Sequence, residues 1–225
     1  MSVESGETFY NPLCKEKVVV RSPAHENDGY RTVLDVWVEA GGAVSGIHLH
    51  PHSEERFTLV EGRLIVEIEG RQVLLENPGD SVLIPPGLRH RWWNAGGQTS
   101  RHLCEFRNLA DRFEELVLRQ LFCLAQDGKT GRTGQPTLLP QALTTLEYGD
   151  VVRFDTPPWI VQRVLFSALA PIARWRGYQG RNPEYLARSS ETRQELQPIP
   201  EVASRWHFTA EGQDPFPSES LAGAR

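Results

Sequence analysis

Residues 46–57 read GIHLHPHSEERF and place His48, His50, His52, Glu54 and Glu55 within eight positions. Imidazole nitrogens and carboxylate oxygens are a donor set that divalent first-row ions accept where thiolates are absent. The surrounding residues read as β-strand, and in a strand side chains two apart point to the same face. His48 and His50 therefore project together. Glu55 follows the PHSE bend and opens the next strand, where its carboxylate can meet them. Further on, GDSVLIPPGLRHRWWN brings His90 on a later strand, after a Pro-Gly turn. Three imidazoles and one carboxylate can close on a single divalent transition ion (Fe, Mn, Ni, Zn or Cu). A six-coordinate ion then keeps about two positions for O2 or a chelating substrate.

The elements that must position these groups are short. KVVVR, RTVLDVWVEA, RFTLVEG, RLIVEIEG, RQVLLENPGD, SVLIPPG, RHRWWNAGG and RHLCEFRN are rich in β-branched and aromatic residues and bounded by Gly, Pro, Asn or Asp. Many short strands at this spacing predict an antiparallel sandwich or barrel. VEG-RLIVEIEG-RQVLL reads as two successive hairpins. By strand parity Phe57 and Leu59 share a face with Glu55, and Trp92 shares one with His90. These three, with His52, are the expected lining of a substrate pocket. His52 shares parity with His50, but Pro51 and the bend leave its direction open between pocket and solvated rim.

The pattern changes at Asn108. Leu109, Phe113, Leu116, Val117, Leu121 and Leu124 recur every three to four residues, which predicts an amphipathic helix ending near Gly128. A second helix is expected in LLPQALTTLEYGDVV. A third, PPWIVQRVLFSALAPIARWRGYQG, opens on two prolines, as helix first turns often do. Gln162, Arg163 and Pro171 interrupt that apolar run, which argues against a transmembrane segment. A membrane-surface helix is the alternative to packing on the barrel or on a second subunit, and packing is the preferred reading. From Arg181 the chain is rich in Pro, Ser, Glu and Gln, a composition expected to leave a flexible tail.

The 225 residues carry 39% hydrophobic and 24% charged side chains and a net charge of −5. That is an ordinary globular composition, and it offers no excess of cations to neutralise a phosphate backbone, so nucleic acid is not an expected partner. Cys14, Cys104 and Cys123 are odd in number and form no CxxC, which fits small buried hydrophobes in a reducing compartment. The first twenty residues show no cationic stretch followed by an apolar one. A cytoplasmic location is the resulting expectation.

Gly42, His48, His50, Glu55 and Gly62 match G(x)5HxH(x)4E(x)6G at every fixed position, and Gly79, Pro85, Gly87, His90 and Asn94 match G(x)5PxG(x)2H(x)3N. In these two motifs the chain resembles the cupin superfamily. With Gly near 7% and Pro near 5% of residues generally, ten such matches do not arise readily by chance. The spacing to Gly62 also favours Glu55 over Glu54. The resemblance covers roughly residues 30–107 and implies a mainly β protein with one cupin jelly-roll β-barrel, taken as residues 1–108 (motifs 42–62 and 79–94), to which the periodicity and composition above add a C-terminal α-helical extension over 109–180 and a disordered tail over 181–225. It implies one metal ion inside the barrel on His48, His50, Glu55 and His90. The function it implies is a metal-dependent oxygenase or related oxidoreductase acting on an unidentified small molecule. A non-redox metal-assisted isomerase or lyase and a non-catalytic small-molecule-binding cupin are the alternatives. Cupins commonly pair, and the apolar faces of the helices suggest a homodimer.

Overall fold

In HRWWN the side chains of His90, Trp92 and Asn94 are buried, while Arg91 is exposed and Trp93 half-buried. This period of two is what a strand with one face on a core requires, and it recurs in LIVEI, where Leu64, Val66 and Ile68 are buried. The computed structural model describes residues 2–44, 46–131, 134–188, 190 and 192–204. Its strands are β1 (Thr8–Asn11), β2 (Glu16–Ser22), β3 (Arg31–Val38), β4 (His48–Leu49), β5 (Glu54–Glu61), β6 (Leu64–Ile68), β7 (Arg71–Leu75), β8 (Ser81–Ile84), β9 (His90–Asn94), β10 (Ser100–Arg107) and β11 (Arg153–Phe154). One sheet runs β1-β2-β3-β10-β5-β8 and the other β11-β4-β9-β6-β7, with antiparallel pairing throughout.

All the strands expected between residues 17 and 107 are present. The expected pair of hairpins is corrected to one: β6 pairs β7, whereas β5 lies in the opposite sheet beside β10 and β8. Gly62 makes the crossing. Its φ is +85°, and a Cβ there would sit 2.7 Å from the Cα of Ser100, so the turn needs a glycine on two counts. Two strands, β1 and β11, have no counterpart in the sequence reading, because each is only four or two residues long.

The first predicted helix is α1 (Ala110–Glu114), a π-helical stretch (Glu115–Leu121) and α2 (Phe122–Gln126) in continuous succession. Its Phe113, Leu116, Leu118 and Phe122 join the barrel residues in one core, and Phe113 stacks on Phe106 of β10 with ring centroids 4.0 Å apart. The next helices are α3 (Leu138–Tyr148) and α4 (Trp159–Trp175), which meet where Leu143 packs with Ala170 and Ala173. Among the described residues no helix is long and apolar enough to cross a membrane.

The expected tail divides at Ser204. Residues 205–225 lie outside the described residues. For residues 181–204 the expectation of a flexible tail is corrected. That stretch contains α5 (Pro183–Ala187) and α6 (Glu201–Ser204), and Tyr185 and Ala203 are buried. Its low aliphatic content misleads because polar contacts hold it. Asp35 on β3 is fully buried and takes Arg101 at 2.7 Å and Arg21 at 2.5 Å. The two guanidinium groups in turn donate to the carbonyls of Gln197 and Pro198. A buried ion pair of this kind is stabilised when its remaining N–H groups also find acceptors, and the segment supplies acceptors to both guanidinium groups, leaving Arg21 Nε without one.

Glu114 ties the helix to the barrel, since its buried carboxylate accepts from the Ala24 N–H at 2.8 Å. Burial pushes its carboxyl up to about 7, against the opposing pull of hydrogen bonds from Thr32 and Ala24. An unfolded glutamate loses its proton near pH 4.3, so between there and about 7 the folded chain keeps a proton that the unfolded chain has released. Stability therefore falls as pH rises through that window. Glu114→Gln, which keeps the acceptor oxygen, is expected to remove up to about 3 kcal/mol of that fall. Denaturant titrations at acid and neutral pH measure it, and an unchanged pH dependence in the variant would refute the assignment.

Candidate metal centre

The two motifs are joined through the backbone before any side chain enters the site. The Gly87 N–H donates to the carbonyl of His50 at 2.8 Å, and the Asn94 N–H donates to that of Gly42 at 2.9 Å. The Asn94 amide donates to the carbonyls of Val38 and Gln98, and its oxygen accepts from Gly96. Asn94 thus braces three chain segments and leaves ligand binding to others. The Pro85–Gly87 turn, with Gly87 at φ +83°, delivers His90 opposite His48, its direct partner across β4 and β9.

His48, His50, Glu55 and His90 are all buried, and one ligand atom from each lies within 4.8 Å of the others. The histidines come from the β4–β9 side and Glu55 from β5 in the facing sheet, so the cluster lies between the two sheets. Each imidazole is fixed from behind. Nδ1 of His48 lies 3.0 Å from the Gly46 carbonyl, that of His50 2.8 Å from the Val151 carbonyl, and that of His90 3.0 Å from the Leu88 carbonyl. A carbonyl oxygen only accepts, so each Nδ1 carries the hydrogen, and the Nε2 atoms are left to face the cluster. Nε2 of His50 has no hydrogen-bond partner. Nε2 of His90 meets Glu55 Oε2 at 2.9 Å, a contact that needs a proton between them.

The electrostatics agree with a cation-binding set. Burial and the neighbouring imidazoles hold His48 well below its ordinary value, so its Nε2 lone pair is free. Burial alone would push the Glu55 carboxyl up, but the facing imidazoles, His50 with Nε2 3.4 Å from Oε2 and His90 hydrogen-bonded at 2.9 Å, outweigh it and keep the group ionised. Its second oxygen accepts from the Cys104 thiol at 3.4 Å. Burial and the charge of Glu55 raise that thiol well above its usual range, so Cys104 is a donor here and no thiolate. Once an ion displaces the proton shared by His90 and Glu55, the set becomes three neutral imidazole donors and one carboxylate, which fits a divalent transition ion.

A cavity of about 110 Å³ adjoins the cluster, with His48, His50 and Glu55 in its wall. Phe57 and Trp92 line it as strand parity predicts. Two residues expected there lie elsewhere. His52 is exposed, because the bend after Pro51 turns it outward, where its carbonyl accepts from Asn108. Leu59 is buried one pleat repeat beyond Phe57 and is no part of the wall. The sequence reading missed Glu16, His102 and Cys104, which do line the cavity. Parity held the signal: His102, Cys104 and Phe106 alternate along β10 and face Leu59, Phe57 and Glu55 across the ladder. It also missed the roof, where Phe113, Val117, Leu118, Leu121 and Phe122 line the cavity.

The Cupin domain family matches residues 35–104. The chain is also 36% identical over 107 residues to the tetracenomycin polyketide synthase protein TcmJ of Streptomyces glaucescens, covering 41% of this chain and 70% of that one. The chain belongs to the cupin superfamily. The cupin is likewise 28% identical over 128 residues to an oxidoreductase of Arthrobotrys oligospora, covering 55% of this chain, and it spans about half (49%) of that relative's length. Among solved structures it is similar to KdgF from Halomonas sp. at 20% identity and TM-score 0.39, covering 44% of this chain and 84% of that one. It is also similar to an oxalate decarboxylase of Lactobacillus farciminis at 25% identity and TM-score 0.36, covering 42% and 29%. At those scores neither structure bears on function.

Substituting His48, His50 or His90 by Ala, or Glu55 by Gln, is expected to weaken metal affinity by more than about 100-fold, since even the groups that orient such ligands contribute 10–100-fold. Elemental analysis of the purified variants checks this. Full occupancy in a His48→Ala/His90→Ala double variant would overturn the assignment.

Proposed function

We propose that this cupin is a metal-dependent oxidoreductase of the oxygenase type, acting on a small molecule, with one divalent transition ion held by His48, His50, Glu55 and His90. The observation that carries the reading is the convergence of three backbone-pinned imidazoles and a buried carboxylate at the wall of a largely apolar cavity. An iron, manganese, nickel or copper ion there would bind O2 or a chelating substrate and exchange electrons with it, and zinc would act as a Lewis acid. The chain's own residues orient the three rings, surround the cavity with the apolar side chains of Val18, Leu34, Val36 and the helical roof, and offer the rings of Phe57 and Trp92 as a wall against which a substrate ring can lie. The relative named an oxidoreductase supports the reaction class. Two relatives named as polyketide synthase proteins, TcmJ and CurC of Streptomyces cyaneus, support a substrate carrying keto or hydroxyl oxygens.

A non-redox isomerase or lyase is favoured by one observation. Glu16 lines the cavity, and burial, with the charge of Glu55, pushes its carboxyl up to about 8. A carboxylic acid that keeps its proton at neutral pH can act as a general acid. The two readings separate by experiment. Metal-loaded protein is expected to consume O2 with small keto and phenolic compounds, and Glu55→Gln to lower that rate by at least about 100-fold. Turnover that persists without O2 in zinc-loaded protein would overturn the oxygenase reading, and saturable binding without turnover would identify a binding protein.

We infer further that the outer face of α4 pairs two copies of the chain. Ile160, Val164 and Trp175 are 70%, 68% and 81% exposed, and Val161, Leu165 and Ile172 are exposed beside them. An apolar stripe of that length on a helix whose other side is already packed is a common mark of an interface. The face of α1 and α2, by contrast, is spent on the chain's own barrel. Light scattering is expected to give twice 25.4 kDa, and a monomer mass at micromolar concentration would refute the pairing.

A further inference from the structure

Among the described residues, His102 is the one cavity-lining imidazole outside the cluster. It is fully buried on β10, and neither of its ring nitrogens has a hydrogen-bond partner. Its surroundings explain why: the ring sits 5.5 Å from that of Phe57 and 5.7 Å from that of Trp92, and Phe57 and Trp92 are 6.3 Å apart. Aromatic faces do not satisfy an imidazole. A buried polar group left unpaired costs about 1–3 kcal/mol, so such a group calls for a partner from outside the chain. The cavity is the space from which that partner can come.

The wall decides the partner's charge. Glu16 and Glu55 are its acidic residues, and no lysine or arginine lines it among the described residues. An anionic group placed at the inner end would be desolvated without a counter-charge, which is strongly unfavourable. A cationic group would be drawn to Glu16 and Glu55 elsewhere in the wall, whereas the rings nearest His102 are the apolar ones of Phe57 and Trp92. Burial lowers His102 to about 4, so the ring is neutral and offers one donor and one acceptor. A hydroxyl matches that pair of roles. A volume of about 110 Å³ is on the scale of the cavities that admit a single benzene-sized ring.

We propose that His102, Phe57 and Trp92 form a subsite for an uncharged, hydroxyl-bearing ring of the substrate, with His102 as the hydrogen-bonding partner of the hydroxyl. The proposal rests on the reading of this cavity as a small-molecule site and names the class of molecule it takes: a phenol-like, neutral compound whose remaining oxygens face the metal cluster. His102 selects by leaving an unpaired imidazole when the hydroxyl is missing, the same asymmetry that lets polar sites reject analogues lacking a hydroxyl.

The test uses phenol, toluene and benzoate as probes, titrated by calorimetry into the full chain, both metal-loaded and after chelator treatment with the metal content measured. Phenol is expected to bind at least tenfold more tightly than toluene in both forms, and than benzoate in the metal-free form, where no cation is present to receive the carboxylate. His102→Leu is expected to erase the preference for phenol over toluene, and His102→Gln to retain part of it. Nitrogen-15 NMR of the wild-type imidazoles gives a readout that needs no variant: phenol should shift the His102 ring nitrogens and toluene should not. Toluene binding as tightly as phenol, or an unshifted His102 signal at saturating phenol, would overturn the proposal. A preference for phenol that vanishes with the metal and ignores His102 would also overturn it, by placing the hydroxyl on the ion. Absence of metal from the protein with the His102-dependent preference intact would instead count against the metalloenzyme reading alone.

Discussion

Four polar ligand atoms within 4.8 Å of one another in a buried place form the constraint around which the barrel is organised. Each imidazole can satisfy one nitrogen on the backbone, and the geometry does so three times, at Gly46, Val151 and Leu88. Those bonds fix the tautomer and turn the remaining nitrogens inward, where only a proton or a cation can complete them. The pairing of His48 with His90 and the 2.8 Å bond from Gly87 to His50 are then consequences of holding the rings at one point. The aromatic packing behind His50, with Phe106 at 4.8 Å and Phe113 stacked on it, removes the water that would otherwise compete.

The helical extension belongs to this arrangement. Val151, which orients His50, lies 101 residues further along the chain, just past α3. The strand that follows, β11, pairs Phe154 with His48 and extends the histidine-bearing sheet. A cupin barrel truncated after β10 would therefore lose the acceptor behind one imidazole and the neighbour strand of another. The segment 181–204 contributes at the opposite side, through Arg21 and Arg101 on Asp35, and holds the outer face of β3 while its inner face lines the cavity. Arg119 does the same for the roof, pairing with Glu7 at 2.7 Å and donating to the Arg188 carbonyl.

The ligand set was legible in the sequence because it depends on local spacing. Two histidines two apart share a strand face whatever the rest of the chain does, and the Pro-Gly turn before His90 announces its own geometry. Phe57 and Trp92 followed from the same parity. What failed was whatever depended on distance along the barrel or on partners far away. Leu59 has the right face but sits one repeat too far along β5, and His52 is turned away by a bend whose exit angle parity cannot give. The hairpin expected between β5 and β6 is broken by a glycine that sends the chain to the other sheet. Residues 181–204 looked unable to fold because composition counts aliphatics and not carbonyls offered to a buried guanidinium.

The roof shows how far local pattern carries and where it stops. Phe113, Val117 and Leu121 recur every four residues and mark a helical stripe in the sequence, yet Leu118 and Phe122 line the cavity as well. In an ideal α-helix positions five apart drift away from one face. The π-helical stretch Glu115–Leu121 bonds each N–H to the carbonyl five residues back, and so brings Phe113 over Leu118 and Val117 over Phe122. The wider turn presents an apolar surface broad enough to line the cavity, and it leaves Arg119 and Gln120 on the far side, where Glu7 and the Gly180 carbonyl receive them. A helix with regular periodicity would have to give up either the outer polar anchors or part of the roof. The irregular turn lets one segment satisfy both, lining the cavity beside the charged cluster with apolar side chains while its polar ones are anchored outside.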